Sequence, residues 1–336
     1  MQPKALVTGA PGWLGTRLTE ALLSGFSMGP VVQEKEPVRV AAAPGSATAE
    51  LRALGAQVIE ADLRHPLPAE LCAGIDTVFH CAGVVHPGRI EDLYTLNVEG
   101  TRRLLDAAIA AKVRRFVFVS SNSPAGLNID GSRLMTEEDP PRPYLGYGLS
   151  KLQAEWLVLD AHRAGRIEAV VLRPCWFYGP NQPERQTRFF RMIQGGHPIV
   201  FGKGDNLRSM SYVDNTVQGM LLARSVERAA GEIYWITDRR PYSFIEILQT
   251  VGKLLDVRVR PRYLPKISCD VARFCDSIIQ MTGMYSQDMH VAGELAASIA
   301  VSIDKAKEQL GYAPEIELEE GMRRSIEWCR AQGYAI

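Results

Sequence analysis

The sequence lacks several features that would assign the protein to particular functional classes. Its 336 residues contain 38 basic and 38 acidic side chains, so the formal net charge is zero. Without an excess of one sign, the chain as a whole has no general electrostatic attraction for nucleic acid or an anionic membrane. We therefore expect no nucleic-acid partner, and a small-molecule ligand that is recognised by a local site.

Long apolar segments are also missing from the sequence. No run approaches the roughly 20 apolar residues that a membrane-spanning helix needs, so we expect no transmembrane segment. The first residues, Met1 to Leu6, lead into a strand pattern without the basic and apolar regions of a secretory signal. The expected location is the cytoplasm.

Cysteine and histidine are sparse and show no ligand or disulfide spacing. None of the cysteines forms a C-x-x-C pair, and the six histidines are not spaced as metal ligands. The pattern indicates buried thiols in a reducing compartment and predicts no metal site. The six cysteines are Cys72, Cys81, Cys175, Cys269, Cys275 and Cys329.

What the sequence does contain is a series of short apolar runs separated by helical patterns. Apolar strands that alternate with helices predict an α/β protein with a Rossmann, doubly wound parallel sheet, covered on both faces. The predicted strands are Ala5–Thr8, Val38–Ala42, Gln57–Ala61, Thr77–Ala82, Arg115–Ser120, Glu168–Leu172 and Glu232–Thr237.

The regular alternation weakens after Arg173. We assign residues 1–173 to a dinucleotide-binding Rossmann domain and residues 174–336 mainly to a smaller C-terminal substrate-binding lobe. The strand within 232–237 is expected to rejoin the main sheet. Residues 26–37 are longer than a usual connection between helix and strand, and we interpret them as a surface insertion.

A glycine-rich turn follows the first predicted strand, in the segment Thr-Gly-Ala-Pro-Gly-Trp-Leu-Gly (8–15). Gly9 permits a tight turn, Gly12 the close approach of a pyrophosphate, and Gly15 close helix–strand packing. The backbone amides of Trp13 and Leu14 would then meet phosphate oxygens at the positive end of the first helix. Glycine triplets also occur in purely structural turns, but this strand–turn–helix context favours a dinucleotide.

Other residues at the same sheet edge are candidates for cofactor contact. Asp62 and Leu63 follow the third strand, and Cys81, Ala82 and Gly83 follow the fourth, although ordinary loop residues would look the same. At the end of the second strand, residues 41–43 are all alanine. They supply neither the carboxylate that favours NAD nor the arginine that favours NADP. The expected cofactor is NAD or NADP.

Tyr147 and Lys151 begin a predicted helix and stand four residues apart, so both side chains project from one face. A neighbouring ammonium, together with a positively charged nicotinamide, would lower the pKa of the phenol from its usual value of about 10. Tyr147 could then exchange a proton with a substrate oxygen while hydride is transferred. Ser120 and Ser121 end the strand before this helix, where a hydroxyl can orient that oxygen.

These motifs together resemble the extended short-chain dehydrogenase/reductases, which include the NAD-dependent epimerase/dehydratase and 3β-hydroxysteroid dehydrogenase families. The resemblance runs nearly end to end. It is carried by TGAPGWLG (8–15), ADL (61–63), NVEGT (97–101), FVFVSS (116–121), YGLSK (147–151), LRPCWFYGP (172–180), YVDN (212–215) and the segment from SIDKAKEQLGYAP to LEEGM.

The resemblance implies a catalytic triad of Ser121, Tyr147 and Lys151, with Ser120 and Ser123 as alternatives for the serine. It also implies that Tyr147 and Lys151 contact the cofactor, Lys151 through the nicotinamide ribose, and that Pro174 flanks the nicotinamide. Asn97 would support either a relay water or its own helix. A homodimer through the helix that bears Tyr147 is a further expectation.

The substrate class is read from departures within these motifs. Nucleotide-sugar members usually have an asparagine where this chain has Trp176, whose indole is a large apolar surface with one donor. With apolar residues of the lobe, it favours a bulky, partly apolar alcohol or ketone. Those lobe residues are Phe189, Phe190, Met192, Phe274, Ile278, Ile279, Met281 and Met284.

Basic residues keep a second interpretation open. Arg208, and also Arg185 and Arg188, could hold a substrate diphosphate, as expected of a nucleotide-sugar epimerase or dehydratase with transient hydride transfer. We therefore predict an NAD(P)-dependent oxidoreductase that binds substrate through Ser121, Trp176 and Arg208, with epimerase or dehydratase chemistry as the alternative. A cofactor-sensing protein without activity is a minor alternative, because such relatives commonly lose the tyrosine or lysine.

Overall fold

Strands and helices alternate through the first half of the chain. The computed structural model describes residues 2–129 and 133–336. The first elements are β1 (Ala5–Thr8), α1 (Trp13–Ser24), β2 (Phe26–Met28), β3 (Val31–Gln33), β4 (Val38–Ala42), α2 (Ala49–Ala53), β5 (Gln57–Glu60), β6 (Thr77–His80), α3 (Ile90–Leu93), α4 (Thr101–Ala110), β7 (Arg115–Val119), α5 (Leu145–Arg163) and β8 (Glu168–Pro174). A π-helical segment, Tyr94–Gly100, joins α3 to α4.

The second half has shorter strands and more helices. Its elements are β9 (Trp176–Tyr178), α6 (Glu184–Gln194), β10 (Ile199–Phe201), β11 (Leu207–Arg208), β12 (Met210–Tyr212), α7 (Val213–Ser225), β13 (Ile233–Ile236), β14 (Tyr242–Ser243), α8 (Phe244–Leu254), β15 (Arg262–Leu264), α9 (Ile267–Met281), α10 (Gln287–Glu294), α11 (Asp304–Leu310) and α12 (Leu318–Ala331).

Seven parallel strands form the central sheet, in the order β13-β8-β7-β6-β1-β4-β5. Alternate residues of its strands enter two separate apolar clusters: Ala5 and Val7 point to one face, and Leu6 points to the other. Because both faces are covered, the inner strands need apolar residues throughout, which explains the uninterrupted runs seen in the sequence. The predicted Rossmann α/β class is confirmed, and β13 pairs with β8 at one edge.

Helix α1 shows how the sequence pattern positions the cofactor turn. Leu14, Leu18, Ala21 and Leu22 are all buried, as their helical spacing predicts. Burying each leucine contributes about 1.5–3 kcal/mol, so this face fixes the helix against the sheet. The helix ends at Gly25, whose φ of 87° is accessible mainly to glycine.

Residues 26–37 differ from the expected surface insertion. They contain the antiparallel hairpin β2–β3, with Phe26, Met28 and Val31 buried. The Gln218 side chain donates a hydrogen bond to the Met28 carbonyl at 3.0 Å. The segment therefore forms a hairpin that packs against the rest of the protein, and Val32 is an exposed apolar residue within it.

The C-terminal half adds three small strand pairs near the carboxyl edge of the sheet: β9 with β12, β11 with β14, and β10 with β15. Within residues 2–129 and 133–336, no helix has both the length and the apolar character that crossing a bilayer requires.

Candidate active site

The glycine turn lies at the carboxyl edge, between β1 and α1, and each of its glycines is required by close contact. A Cβ atom on Gly9, where φ is 83°, would lie 2.6 Å from the carbonyl carbon of Cys81. A Cβ on Gly12 would lie 2.5 Å from the Gly9 oxygen, and one on Gly15 2.6 Å from the Gly9 carbonyl carbon. The three positions therefore stack on one another, and larger residues would force the turn open.

Helix α1 begins at Trp13, with Gly12 as its N-cap and no side-chain cap. The first amides of a helix have no acceptor within it, so those of Trp13 and Leu14 suit a phosphate. The Trp13 indole donates a 2.6 Å hydrogen bond to the Pro180 carbonyl and packs 6.1 Å from the Phe177 ring. This contact ties the glycine turn to the segment around β9.

A cavity of about 490 Å³ opens beside the turn. It is large enough for part of a dinucleotide, and small side chains leave its floor accessible to a flat ligand. The sequence candidates Gly9, Gly12, Asp62, Leu63, Ala82 and Gly83 line it together. The other lining residues are Thr8, Ala10, Pro11, Ala41, Ala43, Ser46, Ala61, Arg64, Val84, Pro87, Asp92 and Leu96.

Asp62 is held by a residue that the sequence analysis did not single out. Its carboxylate accepts hydrogen bonds from the Arg64 guanidinium at 2.7–3.1 Å and from the Arg64 backbone at 2.9 Å. These hydrogen bonds lower the pKa of Asp62 to about 2. The basic residue two positions after Asp62 was the available signal.

At the end of β4, the cavity wall is formed by Ala41, Ala43 and Ser46. None of these side chains carries a charge, so neither form of the ribose clamp stands at this position. The structure thus reproduces the ambiguity in the sequence between NAD and NADP.

His80 lies directly beneath the turn and was also missed by sequence reasoning. Its Nδ1 is 2.8 Å from the Thr8 hydroxyl, and its Nε2 is 2.8 Å from the Thr101 hydroxyl. The same Thr8 hydroxyl accepts a 3.2 Å hydrogen bond from the Ala82 amide. Complete burial, followed by the charge of Lys151, lowers the pKa of His80 to about 3. This ring therefore stays neutral and joins β1, β6 and α4 below the cofactor cavity.

We expect His80 to make the apoprotein sensitive to acid. In the unfolded chain a histidine side chain has a pKa of about 6.5. Below that pH the unfolded chain therefore binds a proton that His80 does not bind in the folded protein. The contribution of neutral His80 to the free energy of unfolding is therefore fully present well above pH 6.5 and is lost as the pH falls towards 3. We expect this loss to be about 2 kcal/mol between pH 7 and pH 5. Urea unfolding of wild type, His80→Asn and the exposed-site control His197→Gln would measure this. The unfolding free energy should depend less steeply on pH in His80→Asn, and in that variant alone. An unchanged pH dependence would contradict a buried, neutral His80.

Lys151 lies at the same edge, on the first turns of α5. Its Nζ donates a 2.8 Å hydrogen bond to the Val119 carbonyl and stands 4.3 Å from the centre of the Phe118 ring. Burial lowers the pKa of Lys151 to about 8, while the charge of Glu155 acts against this shift. A Cβ on Gly83 would be only 3.9 Å from Nζ, so the ammonium borders the cavity.

The Tyr147 phenol differs from the sequence expectation in one respect. Burial raises its pKa to about 12, the opposite direction from the one expected beside an ammonium and a nicotinamide. The Ser121 hydroxyl lowers this pKa by hydrogen bonding, and the charge of Glu294 raises it. In the chain alone, loss of hydration outweighs nearby positive charge, so the neutral phenol is strongly favoured.

The structure separates the candidate serines. Ser120 donates a 2.6 Å hydrogen bond to buried Glu155 and is therefore engaged away from the cavity. Ser121 is the serine that forms a hydrogen bond with Tyr147. Its hydroxyl oxygen lies 3.4 Å from that of Ser123. This placement favours Ser121 as the substrate-orienting residue, and Pro174 ends the neighbouring strand β8.

Beneath these residues lies a buried ion pair. The Arg173 guanidinium donates to the Glu155 carboxylate at 2.6 and 2.9 Å, and both side chains are at most 4% exposed. Glu155 follows Lys151 by one helical turn, so the signal was a carboxylate four residues after the lysine. The pair connects α5 to β8 directly under Lys151.

Asn97 is fully occupied by protein contacts. Its side chain accepts a 2.9 Å hydrogen bond from the Val84 amide, and donates to the Val84 carbonyl at 2.9 Å and the Ser150 hydroxyl at 3.1 Å. It therefore fixes the loop after β6 against α5. Of the two roles expected for Asn97, this geometry favours the structural one.

The residues predicted to bind substrate fall into different environments. Trp176 is half-buried and packs edge-on against Phe189, with ring centres 5.2 Å apart. Arg208 is buried, and its guanidinium donates to the Glu294 carbonyl within the lobe. Arg185 is exposed, and its charge reaches Tyr147 and His86. Arg185 thus lies within electrostatic reach of Tyr147, Trp176 belongs to an aromatic pair, and Arg208 stabilises the interior of the lobe.

The proposed apolar pocket is only partly assembled. Phe189 and Phe190 face inward with Trp176, but five other members are exposed to solvent, at 38–85% exposure. Those five are Met192, Phe274, Ile278, Met281 and Met284. Sequence reasoning placed them in a pocket because periodicity identifies a helix face without saying what covers it.

Comparisons with known proteins agree with this geometry. Residues 5–237 match the family described as the NAD dependent epimerase/dehydratase family. The chain is 42% identical to the uncharacterized protein y4nL of Sinorhizobium fredii, covering 98% of this chain and 96% of that one. It is 30% identical to the 4-hydroxy-2-methyl-3-oxo-4-farnesyl-3,4-dihydroquinoline-1-oxide ketoreductase of Stigmatella aurantiaca, covering 95% and 94%.

A solved structure shares the fold over almost the full length. The UDP-glucuronic acid 4-epimerase of Bacillus cereus, in complex with NAD, superimposes with a TM-score of 0.77 at 24% sequence identity. The similarity covers 98% of this chain and 99% of the epimerase chain.

Proposed function

Because the chain belongs to the NAD-dependent epimerase/dehydratase family of extended short-chain dehydrogenase/reductases, we propose that it exchanges hydride with a bulky, partly apolar alcohol or ketone. The protein is an NAD-dependent enzyme. The observation that supports the proposed reaction is the hydrogen bond between Ser121 and Tyr147, one helical turn before Lys151, whose ammonium lies near Gly83 of the cavity.

The nicotinamide, when bound, supplies or accepts the hydride. The Tyr147 phenol, which is protonated near neutral pH, donates a proton to the substrate oxygen in the direction of ketone reduction. Ser121 orients that oxygen by hydrogen bonding, and Lys151 holds positive charge at the edge of the cavity. The glycine turn and the amides of α1 would hold the pyrophosphate.

The substrate class is supported by aromatic side chains of β9 and α6. Trp176 and Phe189 present a paired aromatic surface, which favours an apolar group on the substrate. The name of the Stigmatella relative describes a farnesyl-bearing ketone as its substrate. A large apolar ketone is therefore the first compound class to test.

We expect Trp176→Ala to raise KM for an apolar ketone by about tenfold or more, because the aromatic surface is lost. Absorbance at 340 nm with NADH and ketones of increasing chain length measures the effect. The exposed-site variant Leu54→Ala should match wild type. Equal KM values for all three proteins would remove Trp176 from the substrate site.

Epimerase or dehydratase chemistry is supported by Arg185. This exposed cation has electrostatic influence at Tyr147, so it could balance an anionic group such as a diphosphate. The same assay distinguishes the two functions. An epimerase converts a nucleotide sugar without net change at 340 nm, and product analysis by chromatography then shows the new isomer.

We propose three further properties: NADP as an alternative cofactor to NAD, a cytoplasmic location, and a homodimer through α5, of which the last is implied by the resemblance. The exposed position of Trp156 on α5, at 48%, supports the dimer because large exposed aromatics are common in interfaces. Titration with both cofactors, localisation of tagged protein and light scattering of the purified chain test these three properties in turn.

A further inference from the structure

Helix α9 exposes a row of large apolar side chains. Five residues at intervals of three and four lie along its outer face with exposures of 46–85%. They are Ile267, Val271, Phe274, Ile278 and Met281. A surface helix of a globular domain normally shows the reverse arrangement, with its apolar stripe turned to the core.

The inner face of α9 is held by small and polar contacts. Cys269, Ala272 and Asp276 are the buried residues of the helix. The Asp276 carboxylate accepts a 2.9 Å hydrogen bond from His290 Nδ1 on α10. Contacts with α10 therefore hold the helix in this orientation, with its apolar face turned to solvent.

Further exposed apolar residues lie close by in the sequence. Tyr263 and Leu264 in β15 are 56% and 40% exposed, and Ile199 in the paired strand β10 is 45% exposed. Adjacent residues of a strand point to opposite sides, so we reserve the name apolar platform for the five exposed residues on the outer face of α9. Monomeric soluble proteins rarely leave an apolar patch of this extent without a partner.

Positive charge accompanies the platform. Residues 256–270 contain Arg258, Arg260, Arg262 and Lys266 against two acidic residues, Asp256 and Asp270, so four positive charges less two negative ones leave a net charge of +2. Asp270 is paired with Arg273 at 3.6 Å. All four basic side chains are exposed, and within the described parts of the chain none of them has an ion-pair partner. Lys266 also precedes the N-terminus of α9, where a cation opposes the helix dipole, so helix stability does not explain it.

We propose that the apolar platform docks on the surface of an anionic lipid bilayer. An interfacial helix lies in the plane of the membrane, with its apolar face in the acyl boundary and nearby cations at the headgroups. Arginine and lysine beside an apolar face are complementary to anionic headgroups. This inference goes beyond the reaction chemistry and does not depend on the identity of the substrate.

A second copy of the chain is a less suitable occupant. A two-fold interface brings the same surface patch of both subunits together, so the cationic segments would meet each other. Like charges at an interface oppose association, whereas anionic lipids neutralise them. The positive charge beside the platform therefore favours the bilayer.

Flotation of the full chain, with NADH present, on lipid vesicles tests the proposal. We expect wild-type protein to float with mixed phosphatidylglycerol–phosphatidylcholine vesicles and to bind pure phosphatidylcholine much more weakly. Phe274→Ser should weaken binding about tenfold, because one large apolar side chain no longer enters the acyl boundary. Lys266→Gln should weaken binding to the anionic vesicles by about fivefold.

Val32→Ser is the matched control, because Val32 is 79% exposed on the distant hairpin and should leave binding unchanged. NADH binding by each variant, measured by fluorescence, verifies folding independently of vesicles. Wild-type protein that stays unbound with anionic vesicles overturns the proposal. A Phe274→Ser variant that floats like wild type also overturns it. The same holds if Phe274→Ser changes the oligomeric mass in solution but not the binding to vesicles.

Discussion

Tyr147→Phe is expected to reduce kcat by roughly 10²–10⁴-fold while leaving cofactor binding close to wild type. The substitution removes the hydroxyl that exchanges a proton with the substrate oxygen, and this is the range attributed to one general acid or base. The ring remains, so packing around α5 should change little. Turnover at 340 nm and NADH titration, made on the same preparations, separate the two effects.

Tyr144→Phe provides the matched control for this experiment. Tyr144 is buried immediately before α5, and its hydroxyl has no hydrogen-bond partner within residues 2–129 and 133–336. Its loss should leave turnover within a few-fold of wild type. If Tyr147→Phe kept full turnover, the phenol would not be the proton donor, and a cofactor-sensing role would become the better explanation.

The pH dependence of the two reaction directions should also differ. Because burial places the Tyr147 pKa at about 12, the protonated form required for reduction persists through neutral pH. The oxidation rate needs the phenolate and should therefore rise with pH across the neutral and alkaline range. Equal profiles for both directions would contradict a role for this phenol in proton transfer.

Arg173→Met is expected to be the most destabilising single change, costing about 3–5 kcal/mol of unfolding free energy. It leaves the Glu155 carboxylate buried without its partner, next to Ser120. Urea unfolding at neutral pH measures the loss. The double variant Arg173→Met with Glu155→Met removes both charges and should recover much of the stability, because no buried charge is left unpaired.

An exposed ion pair on the same helix gives the comparison. Arg163 and Asp160 are 67% and 65% exposed, so Arg163→Met should cost less than about 1 kcal/mol. A similar, small loss for Arg173→Met would show that water reaches the buried pair. The double-variant cycle then assigns the coupling between the two charges directly.

The elements closest to the cofactor were the most predictable from sequence. The parallel strands are apolar throughout, and Gly9, Gly12 and Gly15 occupy positions where added atoms would collide with backbone. Such local steric requirements restrict which residues are allowed at each position, so they can be recognised in the sequence. The Tyr147 and Lys151 spacing is likewise set by the geometry of a single helix turn.

Properties that depend on surroundings were less accessible. The pKa of Tyr147 is set by burial under distant elements, including the charge of Glu294, and sequence spacing contains no measure of that. The apolar periodicity of α9 identified a helix face, but whether protein or solvent covers that face depends on tertiary packing. His80 was overlooked because its partners, Thr8 and Thr101, are far away in the chain.

The hydrogen bond from the Trp13 indole to the Pro180 carbonyl has a kinetic consequence. A dinucleotide that settles on the amides of α1 also fixes the residue at the start of that helix, and through it the backbone following Trp176. We therefore expect bound cofactor to stabilise the segment that follows Trp176 further. Steady-state kinetics should show compulsory order, with the cofactor entering before the compound that it reduces or oxidises.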